Sequence, residues 1–418
     1  GFFYHSFICL YFNYVVVYNE GQWIDLGGVF MFLRMTCKEC NQKRKDELYQ
    51  IMGALANREK MQIEEKGDEV CIYACPQGTI HITEDDDSIV IEANTRHAGP
   101  GFHAFAVEFC CDLQEESPGK YEVFDDLEYE TDHDFNRLCK IYEDEITYLK
   151  DTLLKNPEVR QMNYMYESTY ILPLEQDGMI PTALGNLDIK EFANMSEAEL
   201  MDYFFVWNEW DKNARYYKNA ALLLLAKDHY TKYPLMTEAS IKVADTICDY
   251  IELAYQWNPD TPLPVDVYRY LCEQLGRENQ LKQPVEMEQE PSQYRSKDVY
   301  HLWQDFKVVA DGAALRSIDP VNEALCLSSP YLEEDQWDWF IMASHNDTIL
   351  QEKEALLESD VLTYGSKKIA FHIYFDTVDT LEAYLQEGQN VLYFHCVMKD
   401  KKDENYLKQC IKESGFLK

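Results

Sequence analysis

The apolar positions of this chain change period along its length, and the changes predict where helices give way to strands. Residues 42–58 read as a mixed-charge helix. An antiparallel meander follows, with strands at about Glu69–Cys75, Thr79–Thr83 and Ser88–Asn94. Pro76-Gln77-Gly78 and Asp85-Asp86-Asp87 supply the turns between them. Gly99-Pro100-Gly101 opens a helix to about Glu116, with Phe102, Phe105, Phe109 and Leu113 on one face. Phe135, Leu138, Tyr142, Ile146, Leu149 and Leu153 recur at the spacing of a further helix. Together these predict an α+β domain over residues 35–160.

Residues 161–276 are predicted to be mainly helical. Ser196 and Glu199 have capping-box spacing ahead of Tyr203, Phe204, Phe205 and Trp207. Ala214, Tyr217, Ala221 and Leu224 mark a second helix, and Ile241, Ala244, Ile247, Ile251 and Ala254 a third. Pro234 separates the two, and Asn258-Pro259 ends the later one. One such pair is too little for a solenoid, which needs about three repeats, so a helical bundle is expected. Residues 277–297 are polar, contain Pro284 and Pro291, and read as a linker.

The remainder, 298–418, alternates. Strands are predicted at Trp337–Ala343, 360–364, Ile369–Phe375 and Val391–Met398. Helices are predicted at about Asp347–Glu358, at Thr377–Glu387 between a capping Asp376 and a stopping Gly388, and at 403–414. That order, β-α-β-β-α-β, is that of a ferredoxin-like sandwich with an extra terminal helix. The fold class expected is therefore multi-domain α+β: a meander with helices, a helical bundle and a ferredoxin-like domain.

Composition sharpens this picture. The chain has 418 residues and carries 75 acidic side chains against 38 Lys and Arg, a formal charge of −37, yet 46% of it is apolar and 14% aromatic. So acidic a chain with little apolar content would be disordered; this one has material for packed cores. Its field repels phosphate backbones and anionic membranes and attracts basic partners, so no nucleic acid is expected as a ligand. Thirteen cysteines, odd in number and irregularly spaced, read as reduced thiols of a cytoplasmic protein. Cys110, Cys139, Cys248 and Cys396 fall inside apolar helical or strand patterns.

The N-terminal stretch Phe2–Tyr18 is apolar but shorter than the ~20 residues of a spanning helix, and His5 and Asn13 interrupt it. A buried strand or strand pair fits its Tyr, Phe and Val content better than a membrane anchor. Residues 1–34 are also readable as extra sequence ahead of a start at Met31 or Met35.

Five groups of residues carry candidate chemistry. The loop Thr95–His103 joins a strand to a helix through glycines, and Arg96, His97, Gly99, Gly101 and His103 could cradle an anion at the helix start. It is neither GxGxxG nor a Walker motif, so a plain tight turn is the competing reading. Cys37 and Cys40, with Cys71 and Cys75, raise a zinc ribbon. Against it, Cys71 and Cys75 lie about 13 Å apart if their segment is extended, so no metal is assigned. Asp125, Asp126, Glu128, Glu130 and Asp132 fall in a stretch, Asp112–Asp134, with ten acidic residues and one Lys. That run lacks the glycine and terminal Glu of a calcium loop and reads as a surface strip for a partner. Cys110 sits about 10 Å along its helix from His103, too far for a nucleophile–base pair. His372 and His395 fall on predicted neighbouring strands, where packed histidines are the commoner outcome.

No catalytic or cofactor motif stands clear, so no cofactor is expected. The function expected is a non-catalytic acidic interaction module. It would act as an immunity-type neutraliser or a regulatory adaptor for a basic protein partner. The alternative is an enzyme or sensor binding an anionic small molecule at the Arg96–His103 loop.

Overall fold

The computed structural model describes residues 16–19, 22–25, 31–161, 164, 172–174, 178–229, 235, 237–288, 296–330, 337–345, 361–375 and 379–417. Of the apolar N-terminal stretch, residues 1–15 lie outside this set. Val16–Asn19 pairs with Gln22–Asp25 as a hairpin.

Six antiparallel strands build the first sheet. They are β1 Phe32–Lys38, β2 Gln62–Lys66, β3 Glu69–Cys75, β4 Gly78–Glu84, β5 Ile89–Asn94 and β6 Lys120–Asp125. Their order across the sheet is β2-β3-β4-β5-β1-β6. The boundary expected at residue 35 falls inside β1, whose Phe32, Leu33 and Arg34 pair with Asn94, Ala93 and Glu92.

Period-two alternation decides which face is buried. Leu33, Met35 and Cys37 sit opposite Ala93, Ile91 and Ile89, and Ile91 in turn meets Ile82. Three helices close this face: α1 Gln42–Arg58, α2 Pro100–Glu116 and α3 Phe135–Lys155. Leu48, Met52 and Leu55 of α1, Phe102 and Leu113 of α2, and Leu138 and Tyr142 of α3 share one core with the strands. The other face carries a polar row running Arg34, Glu92, His81, Cys71, Glu64 from strand to strand.

This core does not stop at residue 160. Phe192, Leu200, Phe204, Phe205, Trp207 and Leu223 belong to it. The capping box of Ser196 and Glu199 starts α4, Glu197–Phe204, as its spacing predicts. Helices α5 Ala214–Lys227, α6 Glu238–Trp257 and α7 Val265–Leu275 then pack around Leu225, Ile247, Ile251 and Leu271. Residues 277–288, expected to begin a linker, lie along this bundle. Arg277 pairs with Asp245, Asp249 and Glu252, and Leu263 bonds to the backbone of Glu286 and Glu288.

The C-terminal region is sheet. Strands β7 Asp298–Trp303 and β8 Phe306–Asp311 form a hairpin flanked by Leu172–Pro173 and Gly415–Phe416. Beyond it come β9 Leu315–Asp319, β10 Ala324–Ser328, β11 Trp339–Ser344, β12 Val361–Tyr364, β13 Lys367–Phe375, β14 Asp379–Glu387 and β15 Asn390–Met398. These make a seven-stranded antiparallel sheet in the order β9-β10-β11-β15-β14-β13-β12, onto which α8, Glu404–Glu413, packs Leu407 and Ile411.

The C-terminal sheet does not follow the expected βαββαβ order. Of the helix expected at Thr377–Glu387, residues 377–378 lie outside the described residues and the rest is strand β14, Asp379–Glu387, with Leu381, Ala383 and Leu385 buried at alternate positions. Gly388, at φ +62°, and Gln389 make the two-residue turn into β15. The helix expected at 347–358 lies outside the described residues. At the coarser level the fold is α+β, with helices and antiparallel sheets throughout. Among the described residues, no helix is long and apolar enough to cross a membrane.

Candidate functional site

The Arg96–His103 loop is a joint within the core. Gly99 takes φ +106°, which favours glycine, and Pro100 begins α2. Gly101 donates its N–H to Trp207 O at 2.9 Å, and the Trp207 N–H goes to Ala98 O at 2.9 Å. Phe102 and His103 donate to Gly99 O at 3.1 and 3.3 Å. Arg96 is paired with buried Glu145. Burial, helped by the charges of Arg96 and Lys227, pushes the pKa of His97 down to about 3. An anion arriving at this helix start finds these donors already bonded.

His103 is fully buried. Its Nδ1 lies 2.8 Å from Thr95 Oγ1 and its Nε2 3.1 Å from Asp125 Oδ1. Asp125 also accepts the N–H groups of Leu127 and Glu130 at 2.9 and 2.8 Å. Burial raises its pKa, but the His103 bond and charge together with those N–H groups outweigh burial and hold it low. Asp126 fares differently. It accepts from Phe32 N–H at 2.9 Å, yet burial, with the Asp125 charge adding, pushes its pKa up to about 6.

The acidic run therefore splits by direction. Asp125 and Asp126 turn inward, Glu130 is half-buried, and Glu128 and Asp132 are exposed. Asp132 is engaged by Arg137 at 2.6 Å.

The thiols split likewise. Cys37, Cys40 and Cys75 sit in the core, and Cys40 Sγ is 3.3 Å from Cys37 O. Burial pushes the Cys37 pKa up to about 12 and raises that of Cys40, so neither is a ready thiolate. Cys71 faces the other side of the sheet, and β3 lies three strand spacings from β1, about 14 Å. The four thiols therefore do not converge. One group of three metal-ligating side chains within mutual reach does occur among the described residues: Glu69, Cys71 and His81. His372 and His395 are not on neighbouring strands, because β14 runs between β13 and β15 and places Glu382 between them.

What the sequence reading missed is a groove of about 1230 Å³ between α1 and one end of the first sheet. In an antiparallel meander, alternate turns fall at the same end. The β2–β3 turn at Gly67-Asp68 and the β4–β5 turn at 85–87 are therefore neighbours in space. Met52, Val70, Ile72 and Ile82 line the groove with apolar surface, and seven carboxylates line it too: Glu65, Asp68, Glu69, Glu84, Asp85, Asp86 and Asp87. The 85–87 turn was read from the sequence and the one at Gly67-Asp68 was not; the acidic, glycine-containing run at 64–69 was the available signal for it.

The rim is held in place by α1 and its approach. Lys45, buried on α1, donates to Glu84 Oε1 at 2.9 Å, to Asp86 O at 3.2 Å and to Asp85 O. Cys40 N–H reaches Asp87 O at 2.7 Å, and Asp85 N–H reaches Ser88 O at 3.0 Å. Lys45 is the one cation among the lining residues, so the groove presents a concentrated negative field over an apolar floor. Comparison with family models, with curated proteins and with solved structures gives no match for this chain.

Proposed function

We propose that this protein is a non-catalytic acidic interaction module whose groove holds a basic segment of a protein partner. An immunity-type neutraliser and a regulatory adaptor are the two forms that fit. One observation carries the reading: an acidic rim whose 84–87 turn is held by Lys45, through the Glu84 carboxylate and the Asp85 and Asp86 carbonyls, and by the Cys40 amide, through Asp87 O, surrounds an apolar floor. Such a cleft suits a segment that offers Lys or Arg beside apolar side chains, since charge sets encounter rate and selectivity while the floor adds burial. The Arg96–His103 loop supports the small-molecule alternative less well, because its donors are already bonded to the protein. The described cysteines are all free thiols, which supports a reducing, cytoplasmic setting.

The test is capture of partners at low salt with the native chain and two charge-reversed forms. Asp85→Lys/Asp86→Lys/Asp87→Lys should abolish capture of a basic protein, and Glu128→Lys/Asp132→Lys should not. The opposite pattern would move the docking surface to the 125–132 strip. Recovery of no basic protein by the native chain would sink the proposal.

A further inference from the structure

On the sheet face away from the helices, three side chains aim their donor atoms at one point. Cys71 on β3 and His81 on β4 are directly opposed, and Glu69 lies two residues before Cys71 on the same face. His81 Nδ1 is 2.6 Å from Glu69 Oε1 and 3.8 Å from Cys71 Sγ. The three donor atoms all lie within 4.8 Å of one another. A single ring nitrogen thus faces both a carboxylate and a sulfur. If Nδ1–H donates to Glu69, the sulfur gains nothing from that nitrogen's lone pair. One ion with vacant coordination sites would satisfy all three at once.

We propose that Glu69, Cys71 and His81 form a three-ligand site for a borderline-soft divalent cation of the zinc type, with a fourth position open to water. The donor set selects the ion: thiolate and imidazole favour zinc over magnesium or calcium, which take oxygen ligands. The distances also suit it. Tetrahedral zinc bonds of about 2.3 Å to sulfur and 2.05 Å to nitrogen place those atoms about 3.6 Å apart, close to the separation seen. Nitrogen and carboxylate oxygen would sit about 3.4 Å apart, so Glu69 must swing outward by roughly 0.8 Å. Its side chain is 34% exposed and free to do so, and the 44% exposure of His81 leaves the open position facing solvent. Binding replaces the Cys71 thiol proton with the metal and releases that proton to solvent, so affinity drops as pH falls.

Cobalt(II) is the probe, added to the full chain after treatment with a chelator. One equivalent should produce a thiolate-to-cobalt charge-transfer band and tetrahedral visible bands, both displaced by zinc. Cys71→Ser should remove the charge-transfer band, whereas Cys40→Ala, in the core, should leave it intact. His81→Gln and Glu69→Gln, both at part-exposed positions, should each weaken cobalt binding at least tenfold while the circular dichroism stays native. Absence of the band in the native chain would overturn the assignment. So would its persistence in Cys71→Ser, or unchanged affinity in both His81→Gln and Glu69→Gln, the readout that decides if Cys71→Ser does not fold.

Discussion

His103 Nε2 lies 3.1 Å from Asp125 Oδ1, joining the first turn of α2 to the end of β6 inside the core. The other ring nitrogen faces Thr95 Oγ1, whose own proton goes to Met31 O at 2.8 Å, so Thr95 can only accept from His103. Both imidazole nitrogens thus meet acceptors. Asp125→Ala would strand the imidazole and the N–H groups of Leu127 and Glu130. Breaking a buried pair of this kind costs about 3–5 kcal/mol, and Asp125→Asn, which keeps an acceptor, should cost less. Urea unfolding at neutral pH measures both. Because the Asp125 pKa is held low, its contribution is present above the ordinary carboxylate range and is lost as pH falls through the folded-state value. The gap between native chain and Asp125→Asn should therefore narrow in acid.

The next residue predicts the opposite sign. Asp126 has its pKa pushed up to about 6, so the fold binds its proton more tightly than the unfolded chain does. Stability from this group falls as pH rises from about 4 through 6, and stays low above that. A shift of this size corresponds to roughly 3 kcal/mol, which partial solvation trims to about 1–2. Asp126→Asn keeps an oxygen for the Phe32 N–H and removes the charge. It should raise the melting temperature by a few degrees at pH 7, with the gain vanishing near pH 4. A loss of stability at pH 7 would contradict the assignment.

These two carboxylates show what the sequence could and could not disclose. Helix 42–58 and strand 69–75 stand where their periods put them, because each carries one unambiguous pattern. Asp125 and Asp126 looked like surface charge. The clue to the contrary was that Tyr121 and Val123 alternate with Glu122 and Phe124, which puts Asp125 on the buried side of β6. Residues 379–387 satisfy two periods at once. Leu381 and Leu385 fit a helix, while Leu381, Ala383 and Leu385 fit a strand, and only the partners β13 and β15 decide between them. Strand β8 is buried along its whole length and so shows no alternation to read. The groove needed two turns brought together by the meander, information that no single window contains.

Gly101 is glycine because Trp207 leaves no room for more. A Cβ at this position would fall inside van der Waals contact of Trp207 Cδ1 and Nε1 and of Glu209 O. Trp207 is itself wedged between Phe105 and Tyr216, with ring centroids 5.4 and 5.1 Å away. The clash cannot be relieved by rotating a free side chain. Gly101→Ala should cost about 1–3 kcal/mol or more, the usual range for overpacking a core. The urea midpoint should drop and tryptophan emission should shift to the red as the joint opens. A variant as stable as the native chain would mean that the joint yields without cost.

Lys45 separates two ways the groove could attract a basic partner. Counted as charge alone, Lys45→Met should tighten binding, because it removes a cation from among seven carboxylates. At about 8 Å in water that gain is only about 0.5 kcal/mol. Yet Lys45 ties Glu84 and the carbonyls of Asp85 and Asp86 to α1. Without it, residues 84–87 would have to be ordered by the partner, at roughly 1 kcal/mol for each residue newly fixed. Cys40 N–H still holds Asp87 O at 2.7 Å, so two or three residues are affected rather than the whole turn. The ordering cost exceeds the electrostatic gain, so Lys45→Met should weaken binding of the basic partner about tenfold. Titration of native and variant chains at one ionic strength decides it. Tighter binding by the variant would show that the rim acts through its field alone, with its fixed geometry contributing nothing.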